Sequence, residues 1–216
     1  MKQEIAVIGL GKFGLYFAST LVNLGYTVIG IDNSQVRVQA AKDDLSQVYK
    51  ANAANKEALG QIGLADVSHV LVSVGDSIAA SSMIAMYVKE LDIPQVWVKA
   101  VNPDHQRLLL KLGVDEVIIP EQMAAVQLAS KVAIHGFLQY ASFDPEVSFQ
   151  KLIVDQWDGK SLANLELSEK YQVKVISTKK LDSQTYDYTP DPDDLLQKGD
   201  VIIVLRHTNT SRQITP

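Results

Sequence analysis

The sequence contains no cysteine among its 216 residues. This absence excludes disulfide bonds, thiolate nucleophiles and cysteine-based zinc sites. No apolar stretch approaches the roughly 20 residues that a membrane-spanning helix needs. The first residues also show no cleavable signal pattern. The sequence therefore predicts a protein that resides in the cytoplasm.

Positive charge is also scarce. The 20 lysines and arginines are outnumbered by 25 aspartates and glutamates, so the formal net charge is -5. The basic residues form no block, and the electrostatic footprint of a nucleic-acid-binding protein is missing. Hydrophobic residues make up 47% of the chain and charged residues 21%, which predicts an ordinary folded globular protein. We expect any anionic ligand to be held by local geometry rather than by overall charge.

Short apolar runs alternate with helical patterns over the first 120 residues. Such continuous runs are typical of strands buried on both faces of a parallel sheet. The runs cover residues 5–10, 27–32, 69–74, 96–101 and 116–120, with a weaker one at 47–52. Between them, apolar residues recur every three or four positions, as they do in amphipathic helices. This alternation predicts an α/β domain with a Rossmann-like, doubly wound parallel sheet.

The pattern changes after Pro120. An apolar-periodic stretch predicts one long helix over residues 122–140, and Asp144–Pro145 marks a break behind it. Beyond this break, short strands, a helical piece and an acidic loop predict a small α+β C-terminal lobe. We therefore expect a nucleotide-binding domain at 1–121, a connecting helix at 122–143 and a C-terminal lobe at 144–216.

The first apolar run leads into a Gly-x-Gly-x-x-Gly motif formed by Gly9, Gly11 and Gly14. The motif alone is weak evidence, but here it follows a strand, opens a helix and precedes a strand that ends in Asp32. The first glycine allows the tight turn, the second lets the backbone approach a pyrophosphate, and the third lets the helix pack closely. The helix N-terminus attracts phosphates, while Asp32 suits ribose hydroxyls and repels a 2′-phosphate. The motif predicts an adenosine or dinucleotide ligand, against the alternative of a purely structural turn.

Ligands of open α/β sheets bind beyond the carboxyl ends of the strands, so the residues there are further candidates. Lys12, in the glycine loop, can reach a phosphate as a point charge, although a solvated lysine is an equal alternative. Each of the other positions alone is compatible with ordinary loop chemistry, but their convergence on one rim favours a site. These positions are Asn52, Ala53, Ser73 to Gly75, Lys99 and Glu121.

Catalytic groups are not evident in the sequence. A hydride-transferring enzyme needs an acid or base, usually histidine, placed against the nicotinamide. The four histidines are scattered, and none is paired in sequence with a second candidate group. There is also no P-loop motif. Binding without chemistry is the leading interpretation, and a small NAD-dependent oxidoreductase is the alternative.

Taken together, the chain resembles the cytosolic regulatory subunits of bacterial potassium uptake systems of the Ktr and Trk type, which are built from RCK (KTN) domains. The matching segments run through nearly the whole chain in the family's order, and one copy of each domain favours the Ktr type. They are VIGLGKFG at 7–14 with GID at 30–32, KANAANKEAL at 50–59, VLVSVGDSIAAS at 70–81, LDIPQVWVKA at 91–100, LLLKLGVDEVIIPE at 108–121 and LLQKGDVIIVL at 195–205.

The resemblance implies a non-enzymatic protein that forms a ring, typically of eight copies built from dimers. The ring docks on the cytoplasmic side of an integral-membrane potassium-translocating subunit and switches it by exchanging ATP for ADP. NAD or NADH are alternative ligands, and magnesium or calcium is an implied cation. The glycines line the phosphates, Asp32 the ribose, and Glu121 holds the cation. The implied nucleotide-binding residues are Gly9, Gly11, Lys12, Phe13, Gly14, Asp32, Asn33, Asn52, Ala53, Ser73, Gly75 and Lys99.

Two departures from the family's pattern are visible. Many relatives have an arginine in the glycine loop that reaches the terminal phosphate of a nucleotide in the neighbouring subunit. This chain has Lys12 there, and lysine cannot form the planar bidentate contact, so we expect a weaker preference for ATP over ADP. The positions of the cyclic di-AMP pocket of some relatives are Ser168 and Lys174 here. This weakens the expectation that the C-terminal lobe binds cyclic di-AMP.

Overall fold

Strands and helices alternate in the first part of the chain, as the sequence pattern predicts. The computed structural model describes residues 4–75, 77–208 and 214–216. The strands are β1 Glu4–Ile8, β2 Thr27–Asp32, β3 Gln47–Lys50, β4 His69–Val72, β5 Gln95–Lys99 and β6 Glu116–Ile118. The helices between them are α1 Lys12–Asn23, α2 Gln35–Ala41, α3 Lys56–Gln61, α4 Ile78–Lys89 and α5 Pro103–Lys111, with a 3₁₀ turn at Leu64–Asp66.

The six strands form one parallel sheet in the order β3-β2-β1-β4-β5-β6. The prediction of a doubly wound sheet is thereby confirmed. The strand order reverses between β1 and β4, and a crevice opens beyond the carboxyl ends of the strands at such a reversal. The glycine motif begins directly after β1, so the fold places the motif at this crevice.

The central strands are buried on both faces. Val7 and Leu71 pack with residues of α1 and α2 on one face. Ile8 and Val72 pack with residues of α3, α4 and α5 on the other face. Burial of each such aliphatic side chain contributes about 1.5–3 kcal/mol. The sheet is therefore a rigid frame for the loops at its carboxyl edge.

The chain divides into two compact units, Met1–Glu121 and Gln122–Pro216. The second unit contains an antiparallel sheet in the order β7-β8-β10-β9, which agrees with the predicted α+β lobe. Its core gathers around Trp157, Leu152 and Ile202. Its elements are α6 Pro120–Ala133, which starts in the first unit, β7 Phe137–Ala141, β8 Asp144–Ile153, α7 Leu162–Leu165, α8 Leu167–Tyr171, β9 Val173–Lys179 and β10 Val201–His207.

The prediction of one helix over residues 122–140 is wrong at its C-terminal end. The helix ends at Ala133, and Phe137–Ala141 is a strand that pairs with β8. Gly136 lies between them with φ of +72°, a conformation that glycine adopts without strain and that commonly ends helices. Its carbonyl oxygen accepts a hydrogen bond from the Lys151 amide at 2.7 Å. The Asp144–Pro145 pair starts β8 rather than breaking the chain.

Candidate functional site

A cleft of about 350 Å³ opens at the carboxyl edge of the parallel sheet, within the first unit. This volume falls in the range of small-molecule sites. The predicted site residues that line it are Gly9, Lys12, Phe13, Asp32, Asn33, Asn52, Ala53, Ser73, Gly75, Lys99 and Glu121. Gly11 and Gly14 are not in its lining; they belong to the glycine turn beside it. The fold thus brings the predicted residues together, and ligand binding by them stays a prediction.

The glycine turn is closely packed at two of its three positions. Gly9 has φ of +97°, and a Cβ there would lie 2.7 Å from the Ser73 carbonyl oxygen. A Cβ on Gly14 would lie only 1.9 Å from the Gly9 carbonyl oxygen. No side chain fits at such distances without displacement of the backbone. These two glycines therefore determine the shape of the turn.

Gly11 differs from the other two glycines because it has open space around it. Its φ is -67°, and no atom lies within 4 Å of the position that a Cβ would take. It is the N-cap of α1, so it has no side chain to accept hydrogen bonds from the first amides of the helix, and the first turn holds no acidic residue. The N-terminus of a helix carries unpaired N–H groups and a partial positive charge. This end of α1 is suited to bind an anion.

Asp32 ends β2 and is buried, with 5% of its surface exposed. Its Oδ2 accepts a hydrogen bond from the Leu10 amide at 2.7 Å, and its Oδ1 accepts one from the Ser34 amide at 2.8 Å. The carboxylate thereby joins the glycine loop to the end of β2. A carboxylate offers about four acceptor positions, so positions remain for ribose hydroxyls.

Arg37 is a cleft residue that the sequence reasoning missed. It lies in α2, and its Nη1 is 3.5 Å from Asp32 Oδ2. Its side chain is 46% exposed, whereas the Asp32 side chain is 3% exposed. The available signal was a cationic residue in the helix that follows the acidic strand end. Apolar residues were missed as well; those that line the cleft are Ile8, Ile31, Ala51, Ala54, Ala80 and Ile84.

Ser73 follows β4 and carries a buried hydroxyl. The residue is 8% exposed, and within the described part of the chain its Oγ has no hydrogen-bond partner. A buried polar atom without a partner costs about 1–3 kcal/mol. Because Ser73 lines the cleft, a ligand that hydrogen-bonds to this hydroxyl would remove the cost. Among the described residues, the Ser73 hydroxyl is thus an unsatisfied polar group beside the glycine turn.

The opposite wall of the cleft carries a second ion pair. Lys99 Nζ donates a hydrogen bond to Glu121 Oε1 at 2.6 Å and lies 6.0 Å from the centre of the Phe13 ring. The Lys99 side chain is 16% exposed, and that of Glu121 is 68% exposed. The hydrogen bond from Lys99 lowers the pKa of Glu121, and a backbone hydrogen bond lowers it further. Glu121 is therefore ionised at neutral pH and already has a cationic partner.

Among the described residues, two carboxylates line the cleft, the buried Asp32 and the exposed Glu121, and Glu121 is the candidate ligand of a divalent cation. Among the residues that the structure describes, no group of three or more histidines, aspartates or glutamates could hold a metal ion. Magnesium is commonly bound by one or two carboxylates together with substrate phosphates. The residues therefore fit a cation only when a bound polyphosphate and water supply most of its ligands.

Histidines do not take part in the described lining of the cleft. His105 is buried at the start of α5, where its Nδ1 accepts a hydrogen bond from the Val101 amide, and burial lowers its pKa. His69 starts β4, and its ring packs edge-on against Trp97. Both have structural roles at these places, so neither is a candidate acid or base in the cleft.

Comparison with known proteins agrees with this geometry. The family model of the TrkA-N domain matches residues 5–120. The chain belongs to the TrkA-N domain family. It is similar to Ktr system potassium uptake protein A of Bacillus subtilis (strain 168), with 31% identity over 206 residues, 95% of this chain and 92% of that protein. The resemblance inferred from the sequence is thereby confirmed.

Two solved structures share the fold of this TrkA-N family member. The GsuK channel bound to NAD has a TM-score of 0.63 at 12% identity, covering 97% of this chain and 38% of that one. The Shewanella denitrificans Kef CTD in AMP bound form has a TM-score of 0.52 at 19% identity, covering 62% of this chain and 83% of that one. The chain thus spans less than half of the GsuK chain. Among the described residues, no helix has the length and hydropathy needed to cross a membrane.

Proposed function

We propose that the chain is the nucleotide-sensing regulatory subunit of a membrane potassium uptake system. The observation that carries the proposal is the cleft at the strand-order reversal. There a glycine turn and an uncapped helix N-terminus meet the hydroxyl of Ser73, which has no hydrogen-bond partner among the described residues. Similarity to a Ktr system potassium uptake protein over 95% of the chain supports the potassium system as the partner. The proposal describes a binding protein rather than an enzyme.

The ligand in this proposal is ATP or ADP. The phosphates lie at the N-terminus of α1 near Gly11 and Lys12, and the ribose hydroxyls donate to Asp32. The adenine lies on the side of Asn33, Asn52 and Ala53, where the cleft also has small apolar residues. NAD is a second candidate ligand, because the GsuK channel, which shares the fold, is bound to NAD in one structure.

A magnesium or calcium ion accompanies the nucleotide in this proposal. A carboxylate beside a polyphosphate is favourable only when a cation lies between them. Glu121 is the residue that would hold the ion, and the phosphates and water would complete its coordination. The ion would neutralise phosphate charge at the mouth of the cleft.

Regulation follows from a difference between two ligands in one cleft. A ligand shifts a conformational equilibrium only by its differential affinity for the two states. ATP and ADP differ at the terminal phosphate, so the contacts of that group select the state. A coupling of about 1–3 kcal/mol per site is usual, and linked sites in a ring multiply it. We propose a ring of eight copies, built from dimers, in which α6 transmits the change.

The proposed partner is an integral-membrane potassium-translocating subunit. The ring would dock on the cytoplasmic face of this subunit and attach to the membrane only through it. A tagged copy of the chain would then be recovered from membranes together with an integral membrane protein. Recovery of the chain alone from both membrane and aqueous fractions would contradict this assignment.

The test of the proposed function is the shape of the assembly with each nucleotide. Small-angle X-ray scattering of the purified protein with ATP and with ADP should give two different profiles at one unchanged particle mass. Incubation with NAD or NADH and a panel of small substrates should show no hydride transfer. Identical profiles with both nucleotides, or substrate turnover, would contradict the proposal.

A further inference from the structure

The Lys99–Glu121 pair lies where the end of a phosphate chain is expected. Lys99 is the last residue of β5, and its Nζ lies 6.0 Å from the ring of Phe13, the second residue of α1. A Cβ on Gly75 would lie 3.9 Å from the same nitrogen. The ammonium group is thus placed against the helix N-terminus that the phosphates approach in the proposed function.

The two members of the pair are held very differently. Lys99 packs against the cleft wall and is 16% exposed, whereas Glu121 is 68% exposed. Among the residues that the structure describes, the side-chain partner of the Glu121 carboxylate is Lys99, at 2.6 Å. An exposed carboxylate loses little when its partner leaves, because water replaces the lost hydrogen bond. The lysine, by contrast, stays in the cleft and needs a new anion.

A polyphosphate and Glu121 compete for the same ammonium group. The ammonium has three N–H donors, and one of them is used by Glu121 Oε1. The carboxylate also has the same sign of charge as the phosphate and repels it. A triphosphate brings one more phosphoryl group, and more negative charge, than a diphosphate. It therefore competes for Lys99 more strongly than a diphosphate does.

We propose that Lys99 and Glu121 form an exchangeable ion pair that senses the length of the phosphate chain. In this inference, which rests on the proposed function, the terminal phosphate of ATP takes the Lys99 ammonium from Glu121. ADP leaves the pair in place. Lys99 is thus the counterion of Glu121 in the nucleotide-free cleft, and Glu121 becomes available to a divalent ion only after the exchange.

The exchange has a direct connection to the helix that leaves the first unit. Glu121 lies in the first turn of α6, whose following residues belong to the second unit. Release from Lys99 removes the side-chain tie between the end of β5 and the start of this helix. The first turn of α6 is therefore held by the ion pair when ADP is bound and is released from it when ATP is bound.

The experiment measures ATP and ADP affinity by calorimetry, first with a chelator and then with magnesium. The variants are Glu121→Gln, Lys99→Met and the double variant. With chelator, Glu121→Gln should bind ATP about tenfold more tightly than the natural chain, since the competing carboxylate is gone, and ADP with little change. Lys99→Met should bind ATP about tenfold more weakly. In the Lys99→Met background, Glu121→Gln should have a clearly smaller effect.

Magnesium provides the second readout, because it reverses the sign of the Glu121→Gln effect. With magnesium, the variant lacks the carboxylate that holds the ion, so ATP should bind more weakly than to the natural chain. Glu90→Gln is the matched control: Glu90 is ion-paired with Lys56 outside the cleft, and its change should alter neither affinity. Circular dichroism of each variant checks the fold.

The outcomes separate this inference from the function on which it rests. The natural chain could bind nucleotides tightly while Glu121→Gln shows no increase in affinity for ATP in chelator. This result would overturn the proposed exchange and leave the proposed function standing. Equal gains for ATP and ADP also overturn it, because the pair would then not distinguish the two. No adenine nucleotide binding by the natural chain overturns both.

Discussion

The two ends of the cleft carry acid–base pairs of opposite construction. In the pair of Asp32 and Arg37 the acid is buried and the base is exposed, with side chains 3% and 46% exposed. In the pair of Glu121 and Lys99 the base is the more buried member, at 16% against 68%. Both carboxylates are paired with a cationic side chain, but the acid is the buried member of the first pair and the exposed member of the second.

The difference lies in what else holds each carboxylate. Asp32 accepts hydrogen bonds from the amides of Leu10 and Ser34, so the main chain fixes it whether or not Arg37 is present. Glu121 is held instead by the side chain of Lys99. A carboxylate fixed by the main chain suits the ribose, which is the same in ATP and ADP. A carboxylate held by one side chain can change partner, which suits the terminal phosphate, where ATP and ADP differ.

The largest expected effect comes from the glycine turn that lies between the two pairs. In Gly14→Ala the new Cβ meets the Gly9 carbonyl oxygen at 1.9 Å, so α1 must move away from the turn. We expect a loss of about 3 kcal/mol in the free energy of unfolding and loss of nucleotide binding. Chemical denaturation and calorimetry measure the two effects.

Gly11→Ala is the matched control for this change. Its Cβ meets no atom within 4 Å, and its φ of -67° suits alanine, so the free energy of unfolding should fall by less than about 1 kcal/mol. Nucleotide affinity should nevertheless fall, because the Cβ occupies the approach to the amides of α1. A stable Gly14→Ala variant, or an unchanged affinity of Gly11→Ala, would contradict the account of the turn.

The next effect compares the two acids directly by unfolding. Asp32→Asn replaces one acceptor oxygen by an amide donor, which leaves a buried N–H of Leu10 or Ser34 without its partner. We expect a loss of about 1–3 kcal/mol in the free energy of unfolding. Glu121→Gln should change it by no more than about 0.5 kcal/mol, since the side chain is exposed. Equal losses in the two variants would remove the distinction between a fixed and an exchangeable acid.

The fold and most of the cleft could be predicted because their signals are local. The glycine spacing, the acid at the end of β2 and the alternation of strands each have a direct physical reading. Arg37 was missed because its place depends on how α2 lies against the end of β2, which spacing alone does not give. The ion pair of Lys99 and Glu121 was missed as a pair, since its members are 22 positions apart in sequence.

The end of α6 could not be predicted for a different reason. Residues 137–141 carry an apolar pattern that suits a helix as well as a strand. Pairing with β8 decides between them, and this contact is set by the left-handed turn at Gly136. Gly136 is visible in the sequence, but that it turns the chain from α6 into β7 becomes clear only from the pairing of β7 with β8.

A smaller effect is expected for Arg37→Ala. Arg37 is 46% exposed and lies 3.5 Å from an acid that the main chain already holds, so the free energy of unfolding should change by less than about 1 kcal/mol. Affinity for ATP and ADP should change equally, because the ribose end is common to both. Calorimetry measures both affinities. A change in the affinity for ATP alone would mean that Arg37, rather than the pair of Lys99 and Glu121, distinguishes ATP from ADP, and it would contradict the account.

The smallest expected effect is a change in the titration of Glu121. The hydrogen bond from Lys99 lowers the pKa of this carboxyl, so the ion pair is present above the ordinary glutamate range and is lost as the pH falls through the lowered value. Lys99→Met should raise the pKa of Glu121 toward its ordinary value, because the hydrogen bond that lowers it is lost. Carbon-13 NMR of the side-chain carboxyl measures this change, and an unchanged pKa would mean that the pair does not form in solution.

The most direct test of the central claim is a calorimetric titration of the purified chain with ATP and with ADP, in magnesium and in chelator. The account predicts saturable binding of one adenine nucleotide per chain for both ligands. It also predicts that Gly11→Ala, with an intact fold, binds both more weakly. Absence of binding by the natural chain, or binding that Gly11→Ala does not weaken, would contradict the claim that the amides of α1 hold the phosphates of a nucleotide.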